Sequence, residues 1–341
     1  MRSTPPLFME SGGVTALALE ARLPVLEGAW QSMKKTDYGS VKMLLAIENP
    51  IVRQGLQNVL QHEGFLRPAE VASHDRLLAI LVEQTFDVIV TATEITGEFI
   101  PPYIGQLRRG GLVHHPLPIV IELLTSSDGD YVRQVIDSGP DDLLQLPVSP
   151  GQLLARLAVL TEKRKPFVVT SDYVGPDRRQ SLRAGAAPVP LVEVPNPLAM
   201  RTRRQPDEEM ERDIDACVDR LRQMRIERFA FELQWLLRAI RQLFQPEQND
   251  SDKLQTFCER IKTLLFNLPR LLPTSAVATI EPLSDRLVLG ANIIQKSGFS
   301  ADATVLNGLG NVVNALTKAM LATLSAEVLE AAGYARDSGV K

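Results

Sequence analysis

The strongest constraint on this chain is the alternation of short, uninterrupted apolar runs with amphipathic segments between residues 41 and 164. The run LLAIE is followed by NPIVRQGLQNVLQHEG, where Val52, Leu56, Val59 and Leu60 fall at helical spacing and Gly64 supplies a stop. A weak strand near 68–72, a helical run at 74–84 and a buried-type strand at 87–90 come next. A helix near 102–109, a strand at 117–123, a helix at about 128–138, a short strand at 143–144 and a helix at 150–162 complete five β/α units. Strands that are apolar at every position are buried on both faces, and a parallel sheet sandwiched by helices satisfies that requirement. The expected class is α/β, a doubly wound five-stranded parallel sheet, for which the flavodoxin-like strand order 2-1-3-4-5 is one of the common forms.

The flanks read differently. Residues 1–40 mix Pro, Gly and Ser around a short apolar patch, ALALEARLPVL, and are expected to form a flexible N-terminal extension with one or two helical turns. Met33, ahead of KKTDYGSVKM, is a second candidate start. Residues 165–206 carry Pro188, Pro190, Pro195, Pro197 and Pro206, which interrupt helix and central strand alike, so this stretch reads as a Pro/Arg-rich linker lying along a surface. Residues 207–337 are helical in pattern. The segments 207–225 and 227–244 form one helix or two. Leu254, Phe257, Cys258, Ile261, Leu264, Leu265 and Leu268 mark the next helix, with Pro269 as its stop. Pro282 is expected in the first turn of a helix running to Lys296, with Gly298 as its stop. Ser300 is a candidate cap for the helix striped by Val305, Leu309, Val312, Leu316 and Met320, and Ser325 for a last one ending near Gly333. Five or six helices with short connections imply a separate all-α helical bundle serving output or dimerisation.

Composition removes several classes. A net charge of −4 over 341 residues gives no general attraction to nucleic acid or anionic surfaces. Apolar runs stop short of the roughly 20 residues a membrane span needs, and no basic-then-apolar secretory leader opens the chain. Two distant cysteines, Cys217 and Cys258, argue against a disulfide framework and fit a cytoplasmic location. The pair His114–His115 lacks the further ligands a metal site needs, and no cofactor is expected.

Within the β/α half, the ends of the first and third strands read IENPIVR (47–53) and DVIVTATEITG (87–97). Further on, SGPDDLLQLP (138–147) contains Gly139, Asp141, Asp142, Leu143, Leu144 and Pro147. This ordered set, over about 120 residues, resembles the receiver domain of bacterial two-component response regulators. That family places D-D-x-P-x-x-R after its first strand, a phosphoacceptor Asp after its third, Ser/Thr after its fourth and Lys-Pro after its fifth. Pro50, Arg53, Asp87 and Gly97 match the frame, and Glu48 matches one acid. The first acid falls on Ile47, the acceptor on Ala92, the loop proline on Thr96 and the lysine on Leu146; Thr125 approximates the Ser/Thr, one residue out of step. The resemblance implies Mg²⁺-dependent phosphoryl transfer to an aspartate, yet Ala92 offers no nucleophile, Ile47 no ligand and Leu146 no cation. The expectation is a non-enzymatic pseudo-receiver that acts as a protein-docking module.

Other motifs point less far. Arg178, Arg179 and Arg183 spell R-R-x-x-x-R, which resembles the arginine box of PilZ domains and implies phosphate contacts with a cyclic dinucleotide; the downstream PilZ motif is absent. All four histidines precede residue 116, so the helical part cannot be a histidine phosphotransfer bundle. Gly308 and Gly310 lie within a helical stripe and read as packing residues, and MRIERFAFELQWLLRAIRQLF reads as core or interface. Expected partners are proteins, a sensor kinase or another signalling protein, with homodimerisation through the C-terminal helices; nucleic acid and membrane spans are not expected. Cyclic-dinucleotide sensing and a phosphorelay receiver with a displaced acceptor are the alternatives.

Overall fold

The structure is a computed structural model that describes residues 36–111, 115–179, 190–245, 247–272 and 274–331. Five parallel strands, β1 (Met43–Ala46), β2 (Ala69–Val71), β3 (Val88–Ala92), β6 (Ile119–Leu124) and β7 (Asp142–Gln145), pair in the order β2-β1-β3-β6-β7. This is the expected 2-1-3-4-5 arrangement. A short hairpin, β4 (Glu94–Ile95) with β5 (Glu98–Phe99), was not anticipated; it follows β3 directly, with Thr96 and Gly97 at positive φ.

Helices cover both faces. Leu56 and Leu60 of α1 (Pro50–His62) and Leu153, Leu154 and Leu157 of α5 (Pro150–Glu162) pack with Leu45, Val90 and Ile121 on one side. Leu77, Ile80 and Leu81 of α2 (His74–Glu83) and Ile104 and Leu107 of α3 (Pro101–Arg108) pack with Leu44, Ile89 and Val120 on the other, beside α4 (Gly129–Asp137). Local chemistry sets the starts: Asn49 caps α1 by accepting from Ile51 N and Val52 N, and Ser149 with Gln152 forms a capping box at α5.

The flanking stretches are more structured than the sequence implies. Residues 1–35, which hold the apolar patch and Met33, lie outside the described residues, but the extension expected to reach residue 40 ends sooner. Tyr38 is 1% exposed and stacks on Phe65 with ring centroids 4.2 Å apart. The stretch read as a linker contains β8 (Phe167–Val169), β9 (Val174–Pro176) and β10 (Leu191–Val192), a three-stranded antiparallel sheet. Its strands are two or three residues long; Pro176 ends β9 at the sheet edge and Pro190 precedes β10, while Pro188 lies outside the described residues. Helix α6 (Pro197–Thr202) then lays Leu198 into the core between the sheet and α5.

Asp207–Leu243 is a single helix, α7, of 37 residues, about 55 Å long at 1.5 Å per residue. Its first half packs Ile214, Cys217 and Leu221 against the small sheet, and its second half puts Phe229, Leu233 and Leu237 into the helical core. That core is completed by α8 (Ser251–Asn267), α9 (Thr274–Ser297) and α10 (Ala303–Ala331), so among the described residues four long helices stand where five or six were expected. Pro282 lies inside α9 rather than in its first turn. Ser300 closes a 3₁₀ turn, while Asp302 Oδ1 accepts from Thr304 N at the start of α10; Ser325 lies within α10 rather than at the start of a last helix, and Gly333 lies outside the described residues. Of the two glycines read as packing residues, Gly310 lies against the Arg241 guanidinium, but Gly308 faces open space. Both cysteines are buried and unpaired, and no described helix is long and apolar enough to cross a membrane.

Candidate functional site

In a doubly wound sheet, ligands bind beyond the carboxyl ends of the strands, where the strand order reverses between β1 and β3. The residues singled out in the sequence meet at that edge. Ile47 follows β1, Ala92 ends β3, Thr125 follows β6 and Leu146 follows β7. Ile47 is 2% exposed and shares an apolar cluster with Leu123 and Leu144, against which Leu146 packs. Ala92, 5% exposed, belongs to the cluster on the other face. Three positions around the pocket floor therefore contribute to the sheet's hydrophobic cores. They offer no oxygen, nucleophile or ammonium group.

The matching frame has structural work to do. Arg53 donates through Nη1 to the carbonyls of Ile47 and Glu48 and pairs through Nε with Glu70 at 3.0 Å, fixing the loop after β1. Glu48, exposed, accepts from Thr96 N at 2.7 Å and so joins that loop to the β4–β5 hairpin. Asp87 sits at the other end of β3. It accepts from Lys42 N at 2.8 Å and pairs with Arg201 of α6 at 3.1 Å; burial, partly offset by these partners, raises its pKa.

Three residues that the sequence did not assign to the pocket complete it. Thr93 Oγ1 donates to Leu123 O at 3.0 Å and accepts from Thr125 N at 3.3 Å and from the Tyr131 hydroxyl at 2.6 Å. Thr125 Oγ1 lies 2.7 Å from the Tyr131 hydroxyl, and both approach Glu94 Oε1 at 3.3 Å. Tyr131 comes from the first turn of α4, and its ring lies 5.5 Å from that of Phe99 on the hairpin. The pocket mouth is thus closed by a hydrogen-bonded set of hydroxyls and one carboxylate. No spacing rule in the sequence links Thr93 to Tyr131, which stand 38 positions apart.

Among the described residues, no three His, Cys, Asp or Glu side chains gather closely enough to hold a metal ion. His115 is held neutral, its pKa lowered to about 4 by burial and by nearby Arg164, with Nδ1 accepting from Leu117 N at 3.1 Å; His114 lies outside the described residues. Of the R-R-x-x-x-R residues, the two that are described have separate partners. Arg178 donates to Pro140 O at 2.7 Å, Arg179 pairs with Asp177 at 2.8 Å, and Arg183 lies outside the described residues.

Asp141 of the Gly139–Pro147 frame is the centre of a buried triad. Asp141 accepts from Arg108 Nη2 at 2.6 Å and from Arg164 Nε at 2.8 Å, and also from Val120 N at 2.9 Å. Burial pushes the Asp141 pKa up, but the two guanidinium groups outweigh it and hold the carboxyl below its usual range. Both arginines also lie over the Phe167 ring, at 5.4 and 4.8 Å, which ties the large sheet to the small one.

No protein-family model matches the chain. It is 26% identical over 128 residues to the phosphate regulon transcriptional regulatory protein PhoB of Escherichia coli, a match covering 38% of this chain and 55% of PhoB, so the chain spans about half the length of that relative. The PhoB of Klebsiella pneumoniae matches over the same shares. Among solved structures, the response regulator DrrB of Thermotoga maritima is 22% identical, with 36% of this chain and 52% of DrrB covered and a TM-score of 0.32. The chemotaxis protein CheY4 of Vibrio cholerae is 20% identical, covering 34% and 95%, with a TM-score of 0.31. With the strand order already established, the sequence match makes the five-stranded half a receiver domain of the response-regulator type.

Proposed function

We propose that this protein is a non-enzymatic signalling component whose receiver domain is degenerate, does not accept a phosphoryl group and serves as a constitutive protein-docking module. The observation that carries this reading is Ala92 at the end of β3, where a receiver needs a carboxylate. Ile47 and Leu146 support it by turning two further pocket positions over to the apolar core. Removing clustered carboxylates also removes their mutual repulsion, so a domain released from switching gains stability in a single state.

The test is incubation with a small phosphodonor and Mg²⁺, followed by intact mass measurement. An unchanged mass is expected; a stable phosphoryl adduct on an Asp or Glu would overturn the reading and favour a displaced acceptor. Two carboxylates at the carboxyl edge of the sheet, Glu48 and Glu94, already accept hydrogen bonds from Thr96 N and from Thr125 and Tyr131, which argues against either as that acceptor. Cyclic-dinucleotide sensing is disfavoured by the separate partners of Arg178 and Arg179. Because α7 belongs to both the small sheet and the helical core, we place the division between the two functional units within α7 rather than at residue 206. The exposed Phe231 and Phe266 support homodimerisation through the helical half, which sedimentation of the full chain would test.

A further inference from the structure

At the end of the sheet opposite the degenerate pocket, five arginines converge. Arg108 and Arg109 end α3, Arg222 and Arg225 stand three residues apart on α7, and Arg270 closes the 3₁₀ turn after α8. They line one cavity of about 70 Å³ whose remaining wall includes Val174, Leu221 and Leu271.

Two of the five are compensated: Arg108 by Asp141 at 2.6 Å and Arg222 by Asp219 at 3.2 Å. Among the described residues, Arg109, Arg225 and Arg270 form no ion pair. Asp172 is the carboxylate whose field reaches Arg109 and Arg225, but it is bound to Arg260 at 2.5 Å. Arg225 is only 8% exposed; its Nη1 donates to Arg109 O at 2.8 Å, and its Nε has no acceptor. Arg109 Nη1 donates to a carbonyl, that of Asp172, at 3.2 Å. Burial, followed by the adjacent Arg109, pulls the Arg225 pKa down to about 10.

A buried guanidinium without a counter-charge is costly, and its planar fork matches the geometry of an oxyanion. At about 10–15 Å³ for each water, the cavity of about 70 Å³ has room for about five to seven waters, enough to admit one small oxyanion. We propose that this cavity is a binding site for a phosphate-class oxyanion, supplied either as inorganic phosphate or as the phosphoryl group of a nucleotide. The anion is held by Arg225 and Arg109, with Arg270 at the rim. It bridges the receiver domain, α7 and the helical core, so its occupancy stiffens the junction between the halves. This site is independent of the phosphorylation state argued above.

Calorimetric titration of the full chain in chloride buffer of matched ionic strength tests the site, with inorganic phosphate and with ADP as separate probes. Saturable binding and a raised melting temperature are expected. Tighter binding of phosphate identifies the free anion as the ligand, and tighter binding of ADP identifies a nucleotide. Arg225→Met should weaken binding by about tenfold or more, and the exposed Arg270→Gln, which leaves the buried packing intact, by about threefold. Absence of binding by both probes up to about 10 mM, or undiminished binding in either variant, overturns the proposal.

Discussion

The Tyr131 hydroxyl donates to Thr93 Oγ1 across 2.6 Å, joining the first turn of α4 to the end of β3 at the mouth of the pocket. Tyr131→Phe keeps the ring against Phe99 and removes only this bond and its neighbours at Thr125 and Glu94. A loss of about 1 kcal/mol of stability is expected, read by urea unfolding. Thr93→Val should cost more, about 1–3 kcal/mol, because Thr125 N and the Tyr131 hydroxyl both lose an acceptor.

Ala92→Asp tests whether a carboxylate at the end of β3 is enough to accept a phosphoryl group. The new carboxylate would stand at a position 5% exposed, with Ile47 and Leu146 still apolar. We expect lower stability, by about 1–3 kcal/mol, and no phosphoryl adduct by intact mass. Adding Ile47→Asp and Leu146→Lys supplies the missing ligand and cation, and Mg²⁺-dependent labelling should appear only in the triple variant.

Glu122, in the middle of β6, is fully buried; its Oε2 accepts from Ser138 Oγ at 3.2 Å and its Oε1 has no partner. Burial, partly offset by Ser138, raises its pKa from 4.5 to about 8. The folded state therefore holds a proton that the unfolded chain releases near pH 4.5. The stabilisation is fully present below that pH and is lost as pH rises towards about 8. Denaturation midpoints at pH 5, 7 and 9 should fall steadily for the parent chain, and Glu122→Gln should flatten the profile.

Asp141→Asn leaves Arg108, which has no exposed side-chain surface, without its counter-charge and should destabilise by about 3–5 kcal/mol at neutral pH. Because its folded pKa is lowered, the contribution of Asp141 is present above the unfolded value of 3.8 and is lost as pH falls through the folded one. The difference between parent and variant should therefore narrow in acid unfolding.

Gly139→Ala should destabilise for two reasons. The backbone there has φ of 85°, and a Cβ would meet Val174 O at 2.7 Å. The φ contributes about 1 kcal/mol and the backbone clash adds to it, which thermal unfolding would register.

Local periodicity determined much of this protein. Each strand of the large sheet and each of its helices was legible from five or six residues of pattern, because burial on both faces or on one stripe is imposed within the segment itself. Ile47, Ala92 and Leu146 were assigned to the strand ends by the resemblance to the receiver frame at Pro50, Arg53, Asp87, Gly97 and Pro147. Only the tertiary structure brought Tyr131 to Thr93, made Gly139 obligatory through Val174 of a stretch read as linker, and paired Asp141 with Arg108 and Arg164. Only the tertiary structure gathered Arg109, Arg225 and Arg270 around one cavity. These contacts join residues 23 to more than 100 positions apart, and their energies come from excluding water around charges and hydroxyls that, in the sequence, look like ordinary surface groups. Hydrophobic pattern specifies where a segment buries itself; the polar partners it meets there are decided by how the segments pack.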